Sequence, residues 1–152
     1  MKKRGKKYSL DNSLGHLASQ ASRIVLKRIN QELAKGKYAI TSEQFSTLVY
    51  IWSQNGQPQY VLAESLNKDK TTMARLLASL ESQGLIVRLP GNHDAREKNV
   101  FITDKGNTLM SDVTQIVQEI LDIGTMGIRR EDIDVCKDVL RKFHSNLLTS
   151  SR

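Results

Sequence analysis

Cationic and hydroxyl side chains cluster in two stretches of the sequence, and both stretches could bind an acidic polymer. The first cluster lies on and around the N-terminal end of a predicted helix and comprises Lys68, Lys70, Thr71, Thr72 and Arg75. The second lies in a polar, turn-rich segment and comprises Asp94, Arg96 and Lys98. Arginine forks onto guanine, while lysine and threonine suit phosphates and mixed base contacts. We therefore expect both clusters to contact double-stranded DNA.

Each cluster alone also fits a simpler interpretation. The first is compatible with the solvated face of an ordinary amphipathic helix, and the second with a polar turn. In the second, Asp94 cannot attract DNA itself. We expect it to orient an arginine, either Arg96 or one on the predicted helix, through a carboxylate-guanidinium fork. An arginine at a loop tip suits a narrow minor groove, where negative potential is concentrated.

The elements that must position these clusters follow from apolar periodicity and from capping residues. Helices are predicted over residues 11–35, from Thr41 onward, over 59–66 and 70–83, from about 104, and over 131–148. Strands are predicted over residues 85–89 and 99–102, which pair as a hairpin. Gly36 is expected to end the first helix, residues 55–58 to form a turn, and Gly124 and Gly127 to break the fifth helix.

Specific packing faces are also predicted. Thr41 and Gln44 form a capping box, and the buried face of the helix that follows is expected to comprise Phe45, Leu48, Val49 and Trp52. Residues expected to face inward in the next two helices are Leu62, Ala63, Leu66, Met73, Leu76, Leu77 and Leu80. Asp69 is expected to cap the helix that carries the first cluster.

The order of elements predicts a mainly α fold with a small β-hairpin, an α+β class. Two helices with a short break, followed by a hairpin, suit a winged helix-turn-helix core over residues 37–103, with the helix-turn-helix at 59–83 and the wing at 85–102. The remaining segments are assigned as a dimerisation helix at 11–36 and further dimerisation helices at 104–152. Residues 1–10 are assigned as a basic disordered tail.

Composition narrows the function class only modestly. The net charge is +7, but five of the positive residues lie among the first seven. This tail is either a solvated end or a non-specific phosphate-binding arm. No apolar run is long enough to span a membrane, and the basic start leads into no apolar signal core, so a cytoplasmic protein is expected. The three histidines fall on separate elements without metal-ligand spacing, and no nucleophile or phosphate-loop motif is present. We expect no metal, cofactor or enzymatic activity.

Apolar stripes on the terminal helices favour a dimer. Leu14, Leu17, Ile24 and Val25 recur on the first helix, and Ile133, Cys136, Leu140, Phe143 and Leu147 on the last. A compact core has limited surface to cover both stripes, and their exposure would leave a large apolar patch. Burial against a second copy is expected, although pairing of the terminal helices within a monomer is the alternative. Cys136, the single cysteine, is expected to be buried as a small apolar residue.

The ordered motifs resemble those of the MarR family, the multiple antibiotic resistance regulators. The resemblance is carried by residues 40–45, 62–66, 68–76 and 80–88, and by Asp94-Ala95-Arg96 together with residues 102–106. It implies a dimeric repressor or activator of pseudopalindromic DNA, with residues 70–83 in the major groove, Arg96 in the minor groove and Asp94 as its supporting acid. It also implies a pocket for a small aromatic or phenolic effector. Tyr38, Phe45, Tyr50 and Trp52 lie in the corresponding part of the chain, and core packing is their alternative role.

A winged helix also serves as a docking surface in some proteins, so a protein-interaction module is the rival hypothesis. Such a module needs no cations at both DNA-facing sites. The simultaneous presence of Lys70, Arg75 and Arg96 therefore favours DNA.

Overall fold

The computed structural model describes residues 9–150, which form six α-helices and three β-strands. In chain order these are α1 Leu14–Lys35, α2 Ser42–Ser53, β1 Gln57–Pro58, α3 Gln59–Ser65, α4 Lys70–Ser82, β2 Ile86–Pro90, β3 Lys98–Ile102, α5 Asp104–Thr125 and α6 Arg130–Thr149. The predicted winged helix-turn-helix order is confirmed. The predicted basic tail falls mainly on residues 1–8, which lie outside the described residues.

The end of α1 differs in detail from its prediction. Gly36 has an ordinary helical backbone, with φ of −74°, whereas Lys37 adopts the left-handed conformation with φ of 58°. The Lys37 and Tyr38 amides donate back to Ala34 and Leu33 and close the helix. A Cβ on Gly36 would lie 2.6 Å from a ring carbon of Tyr38. A larger residue at this position would therefore require the Tyr38 ring to move.

The start of α2 is confirmed and its buried face is partly wrong. Thr41 and Gln44 form the capping box in both directions. Trp52, which was expected to be buried, is 48% exposed, and Val49 is half-buried. The buried residues of α2 are Ser42, Gln44, Phe45, Thr47, Leu48 and Ile51. Polar residues occupy this face because they bond inside the fold, and apolar periodicity alone does not reveal that.

The core lies beneath the helix-turn-helix. Met73, Leu77 and Leu80 on α4 are fully buried, and Leu76 is nearly so, as their spacing predicted. On α3, Leu62 and Ala63 are buried and Leu66 is half-buried. The core also receives Ile29 and Leu33 from α1 and Met110 and Val113 from α5.

The three strands form one antiparallel sheet in the order β1-β3-β2. The hairpin register pairs Ile86 with Ile102 and Pro90 with Lys98. Gln57 and Pro58, expected to belong to a turn, instead pair with Val100 and Asn99 as a third strand. Two residues are too few to show a strand periodicity, so the sequence held no local signal for this pairing.

The junction between the wing and α5 is tightly packed. Thr103 donates its hydroxyl to the Gly84 carbonyl at 2.6 Å and accepts from the Gly106 amide at 3.1 Å. Gly106 is buried, and a Cβ there would collide with the carbonyl oxygen of Leu85. Glycine at this position is therefore required by the close passage of two backbone segments.

The chain divides into two compact units, one running to Val117 and one beginning at Gln118. In the second, Gly124 stays helical and does not break α5 as expected, while Gly127 has φ of 76° and follows the helix end. No described residue of α6 is buried. Cys136 is exposed, so its predicted burial is wrong for the single chain, because Leu140, Phe143 and Leu147 of the same stripe are also exposed.

Candidate nucleic-acid interface

The turn before α4 fixes where that helix begins. Asn67 takes the left-handed conformation with φ of 49° and allows a sharp reversal after α3. Asp69 then accepts bonds from both the amide and the hydroxyl of Thr72, each 2.8 Å long. These bonds lower the pKa of Asp69 below its ordinary value. The predicted N-cap is confirmed, and the charged cap holds the first turn of α4 in place.

The outward face of α4 combines two cations with small side chains. Lys70, Thr71 and Arg75 are exposed, and Ala78 and Ser82 continue the stripe toward the C-terminal end. Small residues there allow the helix backbone to approach a second surface closely. The guanidinium of Arg75 has no hydrogen-bond or ion-pair partner among the described residues, so it is available to a base edge or a phosphate.

The only acidic residue on α4, Glu81, forms an ion pair with an arginine of the wing. Glu81 accepts bonds from Nε and Nη2 of Arg88 on β2, at 3.0 and 2.7 Å, and from the Arg88 amide at 3.0 Å. The bonds from the Arg88 side chain lower the pKa of Glu81 below its ordinary value. This clamp ties α4 to the wing and leaves the exposed charge of α4 positive.

The wing tip is closed by backbone bonds around Asp94. The Asp94 carbonyl accepts from the Glu97 amide at 3.0 Å, and the Gly91 amide donates to the Glu97 carbonyl at 2.9 Å. The Asp94 carboxylate accepts the backbone amide of Arg96 at 2.8 Å. The expected fork to an arginine side chain is therefore wrong here. In this turn the carboxylate stabilises the backbone that carries Arg96, because the nearest donor is two residues away along the chain.

The wing and the helix-turn-helix share one cleft of about 260 Å³. Its lining residues are Gln59, Tyr60, Ala63, Lys70, Met73, Arg96, Glu97 and Lys98. Arg96 and Lys98 from the wing thus lie beside Lys70 from α4, which unites the two predicted clusters. Sequence reasoning missed Gln59 and Tyr60. Their only local signal was position, since they open α3 directly after the predicted turn at residues 55–58.

Two predicted DNA-binding side chains are already engaged within the chain. The ammonium of Lys68 lies 2.5 Å from a carboxylate oxygen of Glu43 on α2. The hydroxyl of Thr72 donates to Asp69 and retains only acceptor capacity toward a ligand. The structure therefore assigns both side chains a role in positioning α4. A contact from either to DNA remains a prediction.

The four predicted effector-pocket residues are spread over different environments. Phe45 is buried and Tyr38 is half-buried, whereas Tyr50 and Trp52 are exposed. None of the four lines the cleft beside Lys70. Their assignment to an effector pocket stays a prediction.

Within residues 9–150, no group of three or more His, Cys, Asp or Glu side chains is arranged to hold a metal ion. Within the same range, no helix is long and apolar enough to cross a membrane.

Comparison with known proteins relates this arrangement to a family of regulators. The MarR family model matches residues 40–98. The HTH-type transcriptional regulator YybA of Bacillus subtilis is 29% identical over 108 residues, covering 71% of this chain and 72% of YybA. S. aureus MepR in its DNA complex is 29% identical, with a TM-score of 0.78 over 88% of this chain and 98% of MepR. CouR of Rhodococcus jostii RHA1, bound to p-coumaroyl-CoA, is 25% identical, with a TM-score of 0.79 over 90% of this chain and 95% of CouR. The chain is thus similar to proteins of the MarR family, most directly over residues 40–98.

Proposed function

We propose that the protein is a dimeric transcriptional regulator that binds pseudopalindromic double-stranded DNA, with α4 in the major groove and the wing in the minor groove. The observation that carries the proposal is the shared cleft, where Lys70 of α4 lies beside Arg96 and Lys98 of the wing. Cations on two separate elements thus lie on the same side of one compact unit. A duplex can meet both, because a recognition helix and a wing are spaced to enter adjacent grooves.

The outward residues have separate roles in this complex. Arg75 reads a base edge, because its guanidinium is exposed beyond the first turn of α4. Lys70 and Lys98 bind phosphates and set the register of the helix on the duplex. Arg96 enters the minor groove from a tip that Asp94 holds in shape.

Dimerisation is supported by apolar stripes that the single chain leaves uncovered. On α1, Leu14, Leu17 and Ile24 are 42–56% exposed. On α6 the stripe at Ile133, Cys136, Leu140, Phe143 and Leu147 alternates spacings of three and four residues, which suits a helix-helix seam. Burial of apolar surface contributes roughly 25 cal/mol per Å². A second copy supplies that burial and places two α4 helices about 34 Å apart, one turn of DNA.

Regulation acts by changing the distance between the two α4 helices of the dimer. We propose that the protein represses transcription and that a small aromatic or phenolic compound releases it from DNA. The aromatic side chains of Tyr38, Phe45, Tyr50 and Trp52 are the proposed ligand contacts, and the aromatic acyl group in the p-coumaroyl-CoA complex of CouR supports this ligand class. The ligand must bind the released conformation more tightly than the DNA-bound one, since equal affinity would shift nothing. A regulator of this kind has no catalytic role and works beside the chromosome, in the cytoplasm.

Fluorescence anisotropy with the chain's own upstream DNA, at two salt concentrations, tests the proposal. Specific binding should weaken steeply with salt, and Arg96→Ala should weaken it further. Arg75→Ala should cost about 1–3 kcal/mol and relax base preference at one position. Binding without a salt slope and indifferent to Arg96→Ala would refute the DNA function and favour a protein-docking module.

A further inference from the structure

A polar path runs from α1 through the first turn of α2 to α4. The Ser42 amide donates to Asn30 Oδ1 on α1 at 2.8 Å. The Thr41 amide donates to Gln44 Oε1 at 2.9 Å. Gln44 Nε2 then donates to Ser79 Oγ on α4, also at 2.9 Å. The path therefore joins a proposed dimerisation helix to the proposed recognition helix.

Gln44 uses both ends of its amide in this path and is 9% exposed. Apolar contacts around it have no preferred direction and tolerate small sliding movements. A hydrogen bond between fixed partners does not, because it weakens steeply as distance and angle depart from ideal values. Displacement of α4 along its axis would also leave a nearly buried amide without its partner, which is costly.

A second attachment lies one residue away. Glu43, in the same turn of α2, pairs with Lys68 at the turn before α4. Neighbouring residues of one helical turn thus hold α4 in its last turn, through Ser79, and just before its start, through Lys68. Two points of attachment restrict rotation of α4 as well as translation.

We propose that Gln44 and Ser79 are positioning residues that couple α4 to α1 and thereby set the half-site spacing that the dimer accepts. The inference rests on the proposed function, since spacing has meaning only for a dimer on DNA. Neither residue touches DNA in this account. The Gln44–Ser79 bond holds α4 in one position relative to α1. Little of the free energy of DNA binding is then spent on ordering α4.

Ser79→Ala is the clean perturbation, because it removes the bond to α4 and leaves the capping box of Gln44 intact. Ser46→Ala is the matched control, since the Ser46 hydroxyl bonds only the Ser42 carbonyl within α2, at 2.9 Å. Three duplexes are compared by anisotropy: the operator, the operator with two base pairs inserted between its half-sites, and an unrelated sequence. Thermal melting of each variant checks that the fold is retained.

Ser79→Ala should weaken binding to the operator about fivefold, the effect of one ordinary hydrogen bond. Binding to the other two duplexes should change less than twofold, so discrimination between spacings falls. Ser46→Ala should leave all three affinities unchanged. In a Gln44→Met background Ser79→Ala should have no further effect on discrimination, because both changes break the same bond.

Equal losses on all three duplexes, or no loss on the operator, would overturn the positioning role. The same holds if Ser46→Ala matches Ser79→Ala. Failure of the wild-type protein to prefer any operator over the unrelated duplex is a different result, because it refutes the proposed function itself.

Discussion

Glu81 connects the C-terminal turn of α4 to the wing through its ion pair with Arg88. The substitution Glu81→Gln tests whether this clamp holds the two DNA-facing elements together. Glu81→Gln preserves size and retains an oxygen for the Arg88 amide, but it removes the charge that the guanidinium binds at 2.7 and 3.0 Å. The side chains of Glu81 and Arg88 are 34% and 23% exposed. The pair is thus intermediate between an exposed ion pair and a shielded charged hydrogen bond. We expect a loss of about 1 kcal/mol in the free energy of unfolding at neutral pH.

The pH dependence of this loss follows from the pKa of Glu81. Because Arg88 holds that pKa below its ordinary value of 4.5, the clamp contributes its full stability above about pH 4.5. The contribution is lost as the pH falls through the lower pKa of the folded state. The difference between wild type and Glu81→Gln should therefore be present at neutral pH and shrink toward zero near the lower value.

Urea unfolding at fixed protein concentration measures this difference, since a dimer's midpoint depends on concentration. Glu64→Gln is the matched control, because it makes the same charge change on exposed α3, where Glu64 has no ion pair among the described residues. Equal stability of wild type and Glu81→Gln at neutral pH would refute the clamp. The clamp would also be refuted if Glu81→Gln lowered the free energy of unfolding equally at neutral pH and at a pH below the lowered pKa of Glu81.

Three further changes probe other parts of the account. Gly106→Ala should lower the free energy of unfolding in urea by roughly 3 kcal/mol, because the added Cβ meets a backbone carbonyl. Gly15→Ala is the control and should be neutral or stabilising, because open space surrounds that position. Similar effects of the two substitutions would contradict the close packing at Gly106. Lys70→Met should reduce the salt slope of DNA binding by about one. Lys68→Met should lower stability and reduce the slope less, because its ammonium is already paired with Glu43. Equal slopes for the two variants would contradict this difference. Phe143→Glu should convert dimer to monomer in analytical ultracentrifugation, and an unchanged dimer would place the interface elsewhere.

Much of the winged core was predictable because its signals are local. The apolar stripe of α4 repeats over about two turns and needed no tertiary information. The caps at Thr41 and Asp69 depend on residues within three positions, so both were found. The order of these elements then indicated the resemblance to the MarR family, and the structure gathers the residues that carry it into one compact unit.

Two of the missed features depend on partners distant in sequence. Trp52 was expected to be buried because its spacing from Phe45 and Leu48 is helical, but the bonds of Gln44 and Thr47 mark the buried side. The ion pair of Lys68 was not predicted, because its partner Glu43 lies 25 residues earlier. A sequence gives the charge of each group, and it does not show which opposite charge meets it.

The central claim is that two copies of this chain read one duplex through paired α4 helices and wings. Selection of bound sequences from random DNA tests this most directly, because the recovered motif reports both symmetry and spacing. The account predicts an inverted repeat whose half-sites lie about one helical turn apart, roughly 10 base pairs. Recovery of an asymmetric motif, or of no sequence preference, would contradict it.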